Sequence, residues 1–339
     1  MRFFNFLAAT LALTGASAHP GEDIQKDIQA REAALSQMKH RSLAHCTDKI
    51  KRSGVEAQAI ARRSTLAKDL MVKKGLIRRD ANPLDVIHKA DKKFTIDTPL
   101  SEIFGSNHSC LLTPETTAGP FYINGELVRS SLVDDEWTPW GYALHLDILV
   151  IDTSTCDPVT DAYVEIWSAN ATGVYGGISN KDNAPNNPDN VQKSWLRGIQ
   201  PLNTTTGTVQ FDTIFPGPYP GRTPHVHVMV HRRGAEVLAN GTMQDAVATH
   251  TGQVFFDQDL VDFMGERYPY LYAHRVDLTG NADDLYVHQA MAGGNDPFVN
   301  YVFLSNDFGD GILGWITLGV DMEHESKIKV AGTYHGKEA

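Results

Sequence analysis

The distribution of apolar and polar residues changes character twice along the chain. Arg2 precedes an apolar run from Phe3 to Leu13, and small residues follow at Ala16-Ser17-Ala18. A basic start, a short apolar stretch and an A-x-A site predict a secretory signal peptide over residues 1–18. The run is shorter than the ~20 apolar residues that a membrane-crossing helix needs. From Asp23 to about Leu76 the chain is dominated by Ala, Gln, Lys, Arg, Glu and Leu, with no proline and with Gly54 alone before Gly75. Ile24, Ile28, Leu35 and Met38 fall at helical steps on one face, so two or so amphipathic helices are expected. Between Arg78 and His108 the periodicity fades among Asp80, Asn82 and Pro83, as in a linker.

After Cys110 the period shortens. Tyr142 to Ile151, Tyr163 to Trp167, Thr208 to Phe215, Val226 to His231 and Gly252 to Phe256 are short runs rich in Val, Ile, Thr and aromatics, separated by Gly, Pro, Asn and Asp. Leu144, Leu146, Ile148 and Val150 share one parity and define an apolar strand face. Leu149 and Ile151 imply that the other face is partly covered as well. The polar stretch Asn180 to Gly207 predicts a long loop wrapped over a site. The fold expected is an all-β catalytic core, an antiparallel β-sandwich with long loops over residues 110–325. A helical N-terminal region and linker precede it over 19–109, and a C-terminal tail follows over 326–339.

Acidic residues outnumber basic ones, 41 to 30, for a formal net charge of −11. That balance argues against a nucleic-acid partner held through phosphates. Four N-x-S/T sequons, at Asn107, Asn170, Asn203 and Asn240, agree with a secreted, extracellular glycoprotein. In an oxidising compartment Cys46, Cys110 and Cys156 form one disulfide and leave one thiol, without the sequence choosing the pair. Arg62-Arg63 and Arg78-Arg79 read as exposed charge rather than dibasic processing sites.

The densest chemistry lies in Pro218-Tyr219-Pro220-Gly221-Arg222-Thr223-Pro224-His225-Val226-His227-Val228. Side chains alternate along a strand, so His225 and His227 point to the same face about 6–7 Å apart along the backbone and can share one metal ion. Imidazole serves Zn, Cu, Fe and Ni alike, so the pair alone does not name the metal. Tyr219 stands just upstream on a Pro-rich turn, and Tyr175 ends the segment Glu165-Ile166-Trp167-Ser168-Ala169-Asn170-Ala171-Thr172-Gly173-Val174-Tyr175.

These blocks resemble the intradiol ring-cleavage dioxygenases: V-E-I-W, then N-A-x-G-x-Y, then P-Y-P-x-R-x-x-H-x-H. Thr117-Ala118-Gly119-Pro120-Phe121-Tyr122 is similar to that family's T-x-G-P-F-Y opening segment, and Thr251-Gly252-Gln253-Val254-Phe255-Phe256 to its T-x-Q-x-Y/F-F strand. The resemblance covers roughly residues 110–290. It implies a mononuclear non-haem Fe(III) held by Tyr175, Tyr219, His225 and His227, with hydroxide or water completing the site. Tyr219 and His227 would be axial, Tyr175 and His225 equatorial. Phenolates are hard anionic donors that favour Fe(III), and coordination deprotonates them far below the free tyrosine pKa of ~10.

The implied reaction is cleavage of a catechol-type ring between its two hydroxylated carbons with O2, giving a muconate-type dicarboxylic acid. Tyr219 would be displaced and take a proton, while Arg222 and Gln253 would stabilise developing ring charge and Tyr122 would line the substrate pocket. In related enzymes N-terminal helices can serve as a dimerisation element, which leaves a homodimer open here, although this stretch carries no matching motif. Gly221 stands where many intracellular members carry tryptophan, and Pro224 and Val228 also depart from the common pattern, which leaves the catechol or hydroxyquinol open. Two other readings compete. One is a copper site at His19, the N-terminus after cleavage. The other is a secreted β-sandwich that binds a ligand or polymer without catalysis.

Overall fold

The computed structural model describes residues 38–76, 109–111, 119–133, 140–180, 182–183, 187–232, 237–243, 247–275, 278–305, 307–328 and 330–334, with scattered positions between 29 and 36. The signal-like segment, His19, Ile24, Ile28, Leu35, the linker pair Arg78-Arg79 and the sequon at Asn107 lie outside the described residues. Met38 is in irregular chain. The helical expectation is met further along, by α1 (Thr47–Arg52) and α2 (Val55–Lys73). Gly54, at φ +79, turns the chain between them.

The strands in chain order are β1 (Ser109–Leu111), β2 (Ile123–Asn124), β3 (Glu126–Leu127), β4 (Ala143–Asp152), β5 (Tyr163–Trp167), β6 (Arg197–Pro201), β7 (Thr208–Ile214) and β8 (His225–His231). They continue with β9 (Thr242–Met243), β10 (Val247–Ala248), β11 (His250–Phe255), β12 (Asn300–Phe303), β13 (Ile312–Val320), β14 (Ser326–Lys327) and β15 (Gly332–Thr333). Helices α3 (Gln258–Gly265) and α4 (Leu285–Met291) follow β11.

Two sheets face each other. One has the order β1-β13-β4-β7 with β12 on β13, the other β11-β8-β5-β6. Between them Leu144, Leu146, Ile148 and Val150 of β4 meet Val164 and Ile166 of β5, Val226, Val228 and Val230 of β8, and Val254 of β11 in one buried cluster. Strand alternation dictates the rest: each residue between two of these core positions faces outward. The sandwich is not purely antiparallel, because β13 runs parallel to both β4 and β1.

The outward face of the first sheet is covered by the N-terminal helices, which explains why nearly all of β4 is buried. Ala67, Leu70 and Met71 of α2 pack on Leu313 and Trp315 of β13, and Leu43 packs with Leu149 and Ile151. A Cys46–Cys156 disulfide fastens this layer, settling the pairing and leaving Cys110 as the third cysteine. Arg62 and Arg63 correct the expectation of exposed charge. Both reach the fully buried Asp147 of β4, Arg62 through bonds of 2.8 and 2.7 Å, and Arg63 is itself buried.

The long loop expected over Asn180–Gly207 is also corrected. It holds a 3-10 turn at Pro188–Gln192 and the edge strand β6, whose polar residues escaped an apolar-run search because Arg197 finds partners inside the fold. Within the stretch expected as a tail, β14 pairs with β10 and β15 pairs with β2. Among the described residues no helix is long and apolar enough to cross a membrane.

Candidate metal and active site

The outward face of the second sheet carries the chemistry. Cross-strand register places Arg197, Trp167, His227 and Gln253 in one row across β6, β5, β8 and β11, with His225 opposite Phe255 one step along. His225 and His227 point together because Val226 between them faces the core.

The two tyrosines arrive from turns that press on each other. Gly173, at φ +84, lies so close to Pro218 that a Cβ there would stand 2.3 Å from the Pro218 carbonyl oxygen, which is why the N-A-x-G-x-Y turn needs glycine. Asn170 organises the turn by accepting from Thr172 N and Val174 N at 2.9 and 3.0 Å. Asn183 then grips the Tyr175 backbone on both sides, accepting from its N–H at 2.7 Å and donating to its carbonyl at 2.8 Å. Gly221, at φ +80, closes the tight turn in which Arg222 N donates to the Tyr219 carbonyl at 3.0 Å. The glycine is what that backbone requires.

At the centre stands His225 Nε2. Tyr219 Oη lies 3.2 Å from it, His227 Nε2 3.2 Å and Tyr175 Oη 3.4 Å. Ligands bound at about 2.0–2.1 Å and separated by about 100–110° at a metal stand about 3.1–3.4 Å apart, so four donors so placed fit one ion. The tautomer agrees: His225 Nδ1 donates to the Thr223 carbonyl at 2.7 Å, which leaves Nε2 with its lone pair toward the centre. Burial first, then the charges of Arg222 and Arg197, push the His227 imidazolium well below its usual range and keep the ring neutral. Burial, with Tyr219 beside it, pushes the Tyr175 phenol well above 10, so without a cation this pocket opposes the phenolate form. Two phenols and two imidazoles make a donor set for a hard cation, not for a soft one.

Aromatic walls hold the donors. Trp167 stacks on His227 at 4.7 Å and 6°, and Phe121 on Tyr175 at 4.6 Å. Arg222 is fully buried beside them. Its Nη1 donates to Tyr219 Oη at 3.3 Å, its Nη2 to Gln253 Oε1, and its Nε to Asp284 Oδ2 at 2.9 Å. Burial disfavours its charge, but Tyr219, Asp284 and Tyr175 outweigh that and hold the guanidinium firmly protonated.

Six residues expected at the site thus meet: Tyr175, Tyr219, His225, His227, Arg222 and Gln253. Tyr122 sits in a layer behind. Its hydroxyl donates to Glu165 at 3.4 Å and its ring lies on Trp167. Glu165 in turn pairs with buried His231 at 2.6 Å. Sequence reasoning missed Arg197, which binds the carbonyls of Gly176 and Phe121 at 2.7 and 2.6 Å and lies over the Tyr175 ring. It also missed Asp284. A helix N-cap was legible at Asp284 ahead of Leu285, but not the arginine it faces.

Residues 117–259 match the sequence model of the family described as dioxygenase. The same region is similar to the core of a solved intradiol ring-cleavage dioxygenase. The solved intradiol ring-cleavage dioxygenase from Tetranychus urticae is 29% identical, with 65% of this chain and 99% of that one covered at a TM-score of 0.50. A second solved dioxygenase is 28% identical over the same shares, also at a TM-score of 0.50. The core spans both tyrosines, both histidines, Arg222 and Gln253, whereas Asp284 lies beyond it.

Proposed function

We propose that the protein is a secreted dioxygenase that uses one non-haem Fe(III), held by Tyr175, Tyr219, His225 and His227, to convert a catechol-type diol and O2 into a muconate-type dicarboxylic acid. The observation that carries this reading is the convergence of two phenol oxygens and His227 Nε2 on His225 Nε2 within 3.2–3.4 Å. When bound, the ferric ion supplies Lewis acidity and a template for both oxygens of the diol.

The protein's own part is positional and electrostatic. Held as a phenolate by the metal, Tyr219 Oη would accept a diol proton, with Arg222 Nη1 at 3.3 Å to steady the charge it exchanges. Arg222 and Gln253 are pre-aligned beside Tyr219 while Trp167 and Phe121 hold His227 and Tyr175, so little reorganisation is needed as negative charge develops there. The buried setting strengthens these interactions by excluding water.

Secretion is supported by the signal-like start and by a disulfide of the kind that persists in oxidising compartments. Of the three sequons that can be placed, Asn203 and Asn240 are exposed, whereas Asn170 is buried with its side chain engaged in the tyrosine turn. Glycans therefore belong at Asn203 and Asn240.

Purified protein is expected to hold one iron per chain, to absorb visible light through tyrosinate-to-iron charge transfer, and to take up one O2 per catechol cleaved. A colourless, iron-free protein without ring cleavage would sink the proposal. Recovery from culture medium with residue 19 at the N-terminus tests secretion separately.

A further inference from the structure

We propose that Asp284 is a positioning residue for ring cleavage: its carboxylate aims the Arg222 guanidinium at Tyr219 and Gln253. The inference rests on reading this site as the ferric centre. Asp284 and Arg222 are both fully buried and bonded Nε to Oδ2 at 2.9 Å. The same oxygen accepts from Thr223 N at 3.0 Å, while Oδ1 caps α4 by accepting from Tyr286 N at 2.8 Å. Tyr286 also lies beneath the guanidinium, 4.3 Å from its centre.

A guanidinium is a rigid planar fork, so fixing Nε in direction and one face against a ring fixes where both terminal nitrogens point. They point at Tyr219 Oη and Gln253 Oε1. The helix cap alone does not account for the acid, because Asn or Ser caps as well without burying a charge. Burying an opposed pair costs desolvation that a well-packed apolar pair avoids, and fixing one orientation is what such a pair offers in return. Asp284 also accepts from Thr223 N, and the carbonyl of the same residue accepts from His225 Nδ1.

The test separates aiming from mere support. Asp284→Asn keeps the cap acceptor and the volume and removes the charge. It should bind iron fully and keep KM for catechol within about threefold, with kcat lowered about tenfold or more, as for other groups that orient a metal site from outside. In an Arg222→Lys background the same change should alter kcat by less than about twofold, because the fork it aims is gone. A full tenfold loss in both backgrounds overturns the proposal, since Asp284 would then act through Thr223 or the helix.

Metal-free protein gives an independent reading. Asp284→Asn and Arg222→Gln should each lower the melting temperature, and together lower it by less than their sum. Additive losses overturn the pairing. Should Asp284→Asn not fold, Asp284→Glu keeps the charge but displaces it by a methylene, and wild-type kcat in that variant also overturns the proposal. Absence of iron and ring cleavage in the wild type would fail the functional reading, whereas the metal-free melts judge the pairing alone.

Discussion

The two outward faces of the sandwich both bury charge, and they do so differently. On the first sheet Asp147 meets Arg62, Arg63 and Gln210, so every group facing it is a donor and the carboxylate is satisfied. On the second sheet two phenols and His227 converge on His225 Nε2, so four groups able to serve as metal donors crowd one point. The first arrangement closes on itself and holds a helix. The second gathers four donor atoms, which is the arrangement a cation would close. Burial of polar atoms therefore does not mark a site; the mismatch among them does.

The largest expected effect breaks the second face. Tyr175→Phe or His225→Ala should lose iron or activity by at least about a hundredfold, above the cost of outer-sphere changes, with circular dichroism unchanged. Wild-type iron content and turnover in either variant would refute the ligand assignment. Arg222→Lys should keep the metal yet slow turnover, by about a hundredfold if Lys cannot replace the fork. Equal rates would remove Arg222 from the mechanism.

The first face should answer in stability instead. Asp147→Asn leaves Arg63 buried without its counter-ion, and should cost about 3–5 kcal/mol in denaturant unfolding while activity per folded molecule holds. Cys46→Ser opens a closure spanning 110 residues and should cost about 2–5 kcal/mol. If either change altered kcat as strongly as Arg222→Lys, the two faces would not be independent.

The finest test is acid. Burial raises the Asp147 carboxyl, but the hydrogen bonds and charges of Arg62 and Arg63 prevail and hold it below its ordinary 3.8. A depressed acid contributes stability that is fully present above its unfolded pKa and drains as pH falls through the folded one. Stability should therefore decline below about pH 4 in the wild type and more shallowly in Asp147→Asn. Parallel curves would show that Asp147 is not a source of the acid sensitivity.

Legibility followed the range of the interaction. The alternation His-Val-His-Val-Met-Val-His along β8 announces its two faces, because neighbouring residues on a strand are a local matter. Tyr175 and Tyr219 were legible through their motifs. By contrast β6 hid in a polar stretch, since Arg197 satisfies itself with carbonyls of Gly176 and Phe121 that are distant in sequence. The Arg62-Arg63 pair looked like surface charge for the same reason: its acid stands some eighty residues away on β4.

Sequence alone thus determined the strand faces and the Pro-rich turn ahead of His225, and it nominated the donors through their motifs, all set by local geometry and residue chemistry. Tertiary structure alone decided which cysteines pair, which sequons are reachable, that the N-terminal helices cover the first sheet, and that Asp284 faces Arg222. Those outcomes depend on which distant groups meet in a low-dielectric interior, where an unpaired charge is too costly to remain, and spacing along the chain does not encode that meeting.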